Sequence, residues 1–233
     1  MKKIATTVFA LAIGGPTLAG GLPDDPLLFM FKLDKAEYRN AEEGDVFAWD
    51  AQAWLGKDLN KLWLKSEGEL LEGETEEGNL EVLYSRAVAP FWDLQVGWRH
   101  DFEPSPSRNW FAFGAKGLAP YLFEVDAFAY LGESGRMAFG LAVEYEYMFT
   151  QRLILSPELE MTFYSKDDEA VGVGSGLSDL SLGLRLRYEI RREFAPYIGV
   201  NWWNKYGGTA DYAKADGEDT SDVEFVVGIR AWF

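Results

Sequence analysis

The last eleven residues, Val223-Glu-Phe-Val-Val-Gly-Ile-Arg-Ala-Trp-Phe233, alternate strictly. Val223, Phe225, Val227, Ile229, Ala231 and Phe233 fall on one face, and Glu224, Val226, Gly228, Arg230 and Trp232 on the other. Successive side chains of a strand point to opposite faces. A strand with one wholly apolar face and a terminal aromatic residue suits the closing strand of an outer-membrane β-barrel, which meets lipid on one side and a polar lumen on the other. The same period of two runs through Leu180-Ser-Leu-Gly-Leu-Arg-Leu-Arg-Tyr-Glu-Ile190, where even positions are apolar and odd ones small or charged. A helical period of 3.6 would scatter these leucines around the axis.

Alternation and turn signals divide the chain into twelve strand-length segments, near 28–38, 45–56, 60–71, 78–88, 91–103, 108–117, 121–132, 136–149, 152–164, 178–190, 195–206 and 223–233. The expected fold is all-β: a transmembrane antiparallel up-and-down β-barrel of about 12 strands, both termini on the periplasmic side. Pro157 lies in the apolar row of Leu153, Leu155, Leu159, Met161 and Phe163, and a proline inside a paired strand calls for a bulge. Ala89-Pro90, Ala119-Pro120 and Thr150-Gln151 are expected as tight periplasmic turns. The acidic, Gly-rich stretches 73–78, 165–178 and 207–221 are expected as longer outer loops.

The N-terminus indicates the same location. Met1-Lys2-Lys3 is a positive n-region, 4–13 an apolar run, and Thr17-Leu18-Ala19 a small-x-small cleavage site. Residues 1–19 are therefore expected as a signal peptide, 20–27 as a short periplasmic segment and 28–233 as the barrel. The apolar run is shorter than the roughly 20 residues a membrane-crossing helix needs. Nine Trp, 11 Tyr and 16 Phe coexist with a mean hydropathy of −0.17, the average produced by interleaving lipid-facing and polar positions. A soluble barrel would expose those apolar rows to water.

The chain has no cysteine, so it has neither disulfides nor thiolate metal sites. Its 38 acidic and 22 basic residues give a net charge of −16, which disfavours nucleic acid as a partner and favours cations. The face opposite the lipid rows carries Asp50, Gln52, Lys65, Glu67, Glu69, Glu81, Asp93, Gln95, Arg99, Asp101, Lys116, Glu124, Asp126, Glu144, Glu146, Glu158, Glu160, Arg185, Arg187, Glu189, Asn201, Glu224 and Arg230. An acidic bore of low dielectric concentrates cations. The same charges could instead pair into a network that fills a small barrel, and the residues alone leave both readings open. The candidate cation path is Asp50, Glu67, Glu69, Glu124, Asp126, Glu144 and Glu146.

His100 is the only histidine. Alternation from Trp92 to Phe102 puts it with Leu94, Val96 and Trp98, away from the lumen, unless a bulge turns it inward. Met30 and Met148 have lumen parity, and thioethers suit Cu(I), although isolated methionines commonly fill gaps. His100, Met30 and Met148 are the candidates for direct metal coordination. A hydrolytic enzyme would need a nucleophile or carboxylate tied to His100, and no such motif occurs, nor any phosphate loop or H-E-x-x-H signature. No catalytic residues are assigned.

Long stretches carry a family resemblance. Asp50-Ala-Gln-Ala-Trp-Leu-Gly-Lys-Asp-Leu-Asn-Lys-Leu-Trp-Leu-Lys-Ser-Glu-Gly-Glu69, Tyr84-Ser-Arg-Ala-Val-Ala-Pro-Phe-Trp-Asp-Leu-Gln95, Gly117-Leu-Ala-Pro-Tyr-Leu-Phe-Glu-Val-Asp126, Gln151-Arg-Leu-Ile-Leu-Ser-Pro-Glu158, Gly174-Ser-Gly-Leu-Ser-Asp-Leu180 and Leu184-Arg-Leu-Arg-Tyr-Glu-Ile-Arg-Arg-Glu-Phe-Ala-Pro-Tyr197 resemble the copper resistance protein B family. The resemblance implies a cell outer-membrane barrel of a copper-resistance system. It would bind or pass copper ions, with no tightly held cofactor, alongside periplasmic copper-binding proteins and a multicopper oxidase. Many members of that family begin with a Met- and His-rich extension that this sequence lacks, so copper capture by such an extension is not expected. The expectation is a monomeric barrel in outer-membrane lipid, not an enzyme, whose acidic lumen serves copper tolerance. The alternatives are a general small-cation porin or a closed structural barrel that docks envelope partners.

Overall fold

In the computed structural model, which describes residues 25–41, 44–71 and 73–233, antiparallel strands follow one another around a ring. They are β1 (Leu28–Ala41), β2 (Gly44–Gly56), β3 (Asn60–Leu71), β4 (Glu74–Ala89), β5 (Trp92–Glu103), β6 (Arg108–Ala119), β7 (Phe123–Gly132), β8 in two runs (Met137–Glu144 and Tyr147–Met148), β9 (Leu153–Tyr164), β10 (Gly176–Tyr188), β11 (Phe194–Lys205) and β12 (Ser221–Trp232). Each strand pairs with its sequence neighbours, and β12 pairs back onto β1, from Asn40 opposite Phe225 to Lys32 opposite Trp232. The result is a closed twelve-stranded barrel. Closure satisfies every strand edge, which a sheet in lipid requires. Reciprocal backbone bonds of 3.0 and 2.8 Å between Phe31 and Phe233 bring the two ends of the barrel to one rim, the periplasmic rim of an outer-membrane barrel. The proposed signal peptide at 1–19 lies outside the described residues, as does most of the 20–27 segment.

The apolar rows face outward. Leu62 and Leu64 on β3, Phe111 and Phe113 on β6, Leu182 and Leu184 on β10, and Val223, Phe225 and Val227 on β12 are all exposed. Part of the inner wall is also apolar: Trp63, Leu83, Trp110, Ala112, Phe128, Tyr130 and Ala138 form one buried cluster, with Met30, Trp54 and Tyr164 against it.

The structure corrects three local expectations. Pro157 makes no bulge. The β8–β9 register is the same on both sides of it, from Glu158 opposite Glu144 to Leu155 opposite Tyr147. The ladder instead lapses for two residues of β8, because proline has no N–H to donate, while Tyr145 N–H still donates to the Pro157 carbonyl at 3.1 Å. The 73–78 stretch is no loop either: Glu74 and Thr75 pair with Leu71 and Leu70, so β3 and β4 extend as a ribbon, with a register shift between Glu69 and Leu70 absorbing the mismatch. The 207–221 stretch contains a helix, α1 (Gly207–Asp216). Three alanines within it favour helix, and Gly217 ends it in a left-handed conformation, its N–H donating to the Lys214 carbonyl at 3.3 Å.

Candidate functional site: the lumen

A bulge in β1 builds the middle of the lumen. Leu33 pairs with Ala51 and Lys35 with Asp50, leaving Asp34 as the extra residue. A bulge shifts the parity of the strand, so Asp34 and Lys35 both face inward, followed by Glu37 and Arg39. These four belong to the central polar network, yet the sequence reading of the lumen missed them. The legible signal was the alternation Lys35, Glu37, Arg39 against Ala36 and Tyr38. The adjacent Asp34 and Lys35 break strict alternation, which concealed the bulge.

Ion pairs cross the bore. Lys35 Nζ lies 2.9 Å from Glu158 Oε1 and 2.8 Å from Glu160 Oε1, joining β1 to β9. Lys65 Nζ lies 2.9 Å from Asp126 Oδ2, joining β3 to β7, and Lys116 reaches the same oxygen at 3.0 Å. In a ring of twelve, the β1–β9 and β3–β7 chords lie on opposite sides of the β2–β8 diameter. Arg185 holds Glu37 and Glu158, and Arg230 holds Asp34, Glu144 and Glu146. Gln52 links the two sides: its amide N–H donates to Asp34, and its carbonyl accepts from Lys116 at 3.3 Å. Lys65 also sits over the Phe128 ring at 4.6 Å and Arg99 over the Tyr130 ring at 4.9 Å, so the aromatic wall shares in holding the bases.

A cavity of about 910 Å³ remains, lined along its length by 19 carboxylates and 10 bases. Where the β2–β8 diameter passes between the braces, Asp50 lines it from β2, and Gly140, Leu141 and Ala142 from β8. Asp50 is opposite Glu67 in the β2–β3 register. Among the described residues neither has a salt-bridge partner, and the same holds for Glu124 nearer the periplasmic end. Of the other acids proposed for the cation path, Glu69 is paired with Arg39 at 2.6 Å, Asp126 with two lysines, Glu144 with Arg230, and Glu146 with Arg187 at 2.6 Å and Arg230 at 3.2 Å. The lumen thus combines a paired scaffold with a few unpaired acids, and both earlier readings of the charge have a physical counterpart.

The three candidates for direct coordination stand apart from this path. Met30 packs against the inner aromatic cluster. Met148, the last paired residue of β8, is 66% exposed and does not line the cavity; its inward parity counts for little beyond the end of the bore. His100 stays off the lumen, stacked on Trp98 with ring centroids 5.5 Å apart, its Nδ1 sharing a 3.0 Å hydrogen bond with Asn109 Oδ1. Among the described residues, no group of three or more His, Asp or Glu side chains is placed to hold one metal ion.

The outer mouth is roofed by two loops. Val171, Gly172 and Val173 from the 165–175 loop and Thr209 from α1 line the cavity. Asp168 anchors the first loop: Arg108 donates to it at 2.9 and 3.0 Å, and Arg136 lies 2.8 Å away. The hydrogen bonds from Arg108, with the charges of both arginines, hold the Asp168 carboxyl below the usual carboxylate range. Buried Thr209 joins the two loops, accepting from Gly174 N–H at 2.9 Å and sharing a 2.9 Å bond with Ser178.

Comparison with known proteins agrees with this architecture. The family described as Copper resistance protein B precursor (CopB) matches residues 27–233. Copper resistance protein B of Escherichia coli is 47% identical over 210 residues, covering 90% of this chain and 71% of that protein. The Copper resistance protein B homolog of Pseudomonas syringae pv. tomato is 45% identical with the same coverage. Among solved structures, the NanC porin superposes with a TM-score of 0.55 at 12% identity, over 88% of this chain and 99% of that one. A likeness at that identity concerns the barrel fold alone.

Proposed function

The chain belongs to the copper resistance protein B family, and from that premise we propose that its outer-membrane barrel passes or transiently holds copper ions along the acidic lumen, contributing to copper tolerance. The observation that carries the reading is the pair Asp50 and Glu67: adjacent carboxylates on the cavity wall, without a salt bridge among the described residues, in a bore whose lining acids outnumber its bases. Like charge on the walls of a low-dielectric channel draws cations in, and multiple weak stations let them leave again. Copper is the cargo in this reading, guided by charge; no enzymatic step is involved. Periplasmic copper-binding proteins and a multicopper oxidase are the proposed partners, and the barrel acts as a monomer.

The test compares copper, zinc and nickel accumulated by cells lacking the gene and by cells complemented with the wild type or with Asp50→Asn/Glu67→Gln. A shift confined to copper, restored by the wild type and not by the double variant, is the expected result. Equal shifts for all three metals would replace the reading with a general cation pore. The braces at Lys35 and Lys65 favour a second reading, a closed barrel that docks envelope proteins; in that case no metal level changes.

A further inference from the structure

Lys35 braces β1 against β9 from within the bore. Its ammonium sits between Glu158 and Glu160 on β9, and its backbone partner on β2 is Asp50, next to Glu67. Two carboxylates therefore hold this lysine, and two more, without a salt bridge to it, lie on the neighbouring strands β2 and β3. The other base on them is Arg185, which reaches Glu158 at 2.6 Å and is itself fixed by two bonds to the fully buried Glu37. Arg185 is thus clamped within the wall. Lys35 spans from one wall to another on a flexible four-carbon stem.

We infer that Lys35 is the gate of the lumen: a tethered cation that occupies the carboxylates a travelling cation would contact, and that must be displaced for passage. This rests on the proposed cation path. An ammonium offers one charge and three hydrogen-bond donors, and a divalent ion competes for the same oxygens with twice the charge. When the ammonium leaves Glu158 and Glu160 it stays in the bore, so it returns once the ion has moved on. The gate thereby combines a site strong enough to enter with one weak enough to leave.

The measurement is single-channel current through the full chain in planar lipid bilayers in potassium chloride, for the wild type, Lys35→Met, Lys35→Gln and Lys35→Arg. Gln retains hydrogen bonding to Glu158 and Glu160, so it serves if the Met variant does not fold. Both neutral variants are expected to raise unit conductance severalfold and to keep selectivity for potassium over chloride, while Lys35→Arg stays at the wild-type level. Equal, cation-selective conductance in all four proteins overturns the gate and leaves the cation path standing. Current without cation selectivity in every protein overturns the path itself. No current in the wild type or in either neutral variant overturns both.

Discussion

Glu37 accepts four hydrogen bonds on two oxygens. Arg39 Nε and Arg185 Nη2 donate to Oε1 at 2.8 Å each, and Arg185 Nε and Tyr197 Oη to Oε2 at 2.9 and 2.8 Å. Removing a buried partner leaves the remaining charges uncompensated, which typically costs about 3–5 kcal/mol. Glu37→Ala should therefore lower the barrel's stability by about that amount, read as a fall in the urea midpoint of the lipid-reconstituted protein; an unchanged midpoint would mean that the two arginines find other partners. Asp50 and Glu67 differ because, among the described residues, no salt bridge involves them. Asp50→Asn/Glu67→Gln should leave stability within about 0.5 kcal/mol of the wild type while reducing copper movement. A large loss of stability in the double variant would show the pair to be structural. The sequence places Asp50 and Glu67 in the lumen by parity. It does not show that they are bare while Glu37 is saturated, because that depends on Arg185, three strands away around the ring.

At the scale of elements, the roof over the mouth depends on one carboxylate and one glycine. Asp168 has a folded pKa below its unfolded value, so its contribution is fully present above the unfolded value of about 3.9 and is lost as pH falls through the lower folded value. The 165–175 loop should thus be cleaved faster by an acid-active protease near pH 3 than near pH 7, after correction for the protease's own profile. Asp168→Asn should bring the faster cleavage to neutral pH; equal rates for variant and wild type would mean the arginines do not hold the loop. A side chain at Gly174 would start 2.5 Å from the backbone of Gly208, so Gly174→Val should separate the loop from α1 and increase hydrogen exchange in both. The helix itself was absent from the sequence reading. Ten residues are marginal as an isolated helix, and it is the docking of Thr209, Ala210 and Ala213 in buried positions that stabilises this one.

For the whole molecule, the outer surface and the bore pose separate problems. A charge at mid-height on the lipid face costs about 2–4 kcal/mol, so Phe113→Arg, in the exposed outer row of β6, should destabilise the barrel in lipid by that order. Placing arginine at Ala142, which lines the cavity, should instead alter conductance; if both changes gave the same loss of stability, the assignment of faces would be wrong. Alternation by itself determined the class of fold, the number of strands, their order and which face meets lipid. A strand's period of two is local, and in a barrel each neighbour in sequence is a neighbour in space. Only the tertiary structure decided what the bore contains: the β1 bulge that turns Asp34 and Lys35 inward together, the uninterrupted register across Pro157, the helix in the roof, and the pairing of Lys35 with Glu158 and Glu160. Those partners lie 123 and 125 residues apart in the chain, and closure of the ring is what brings them together.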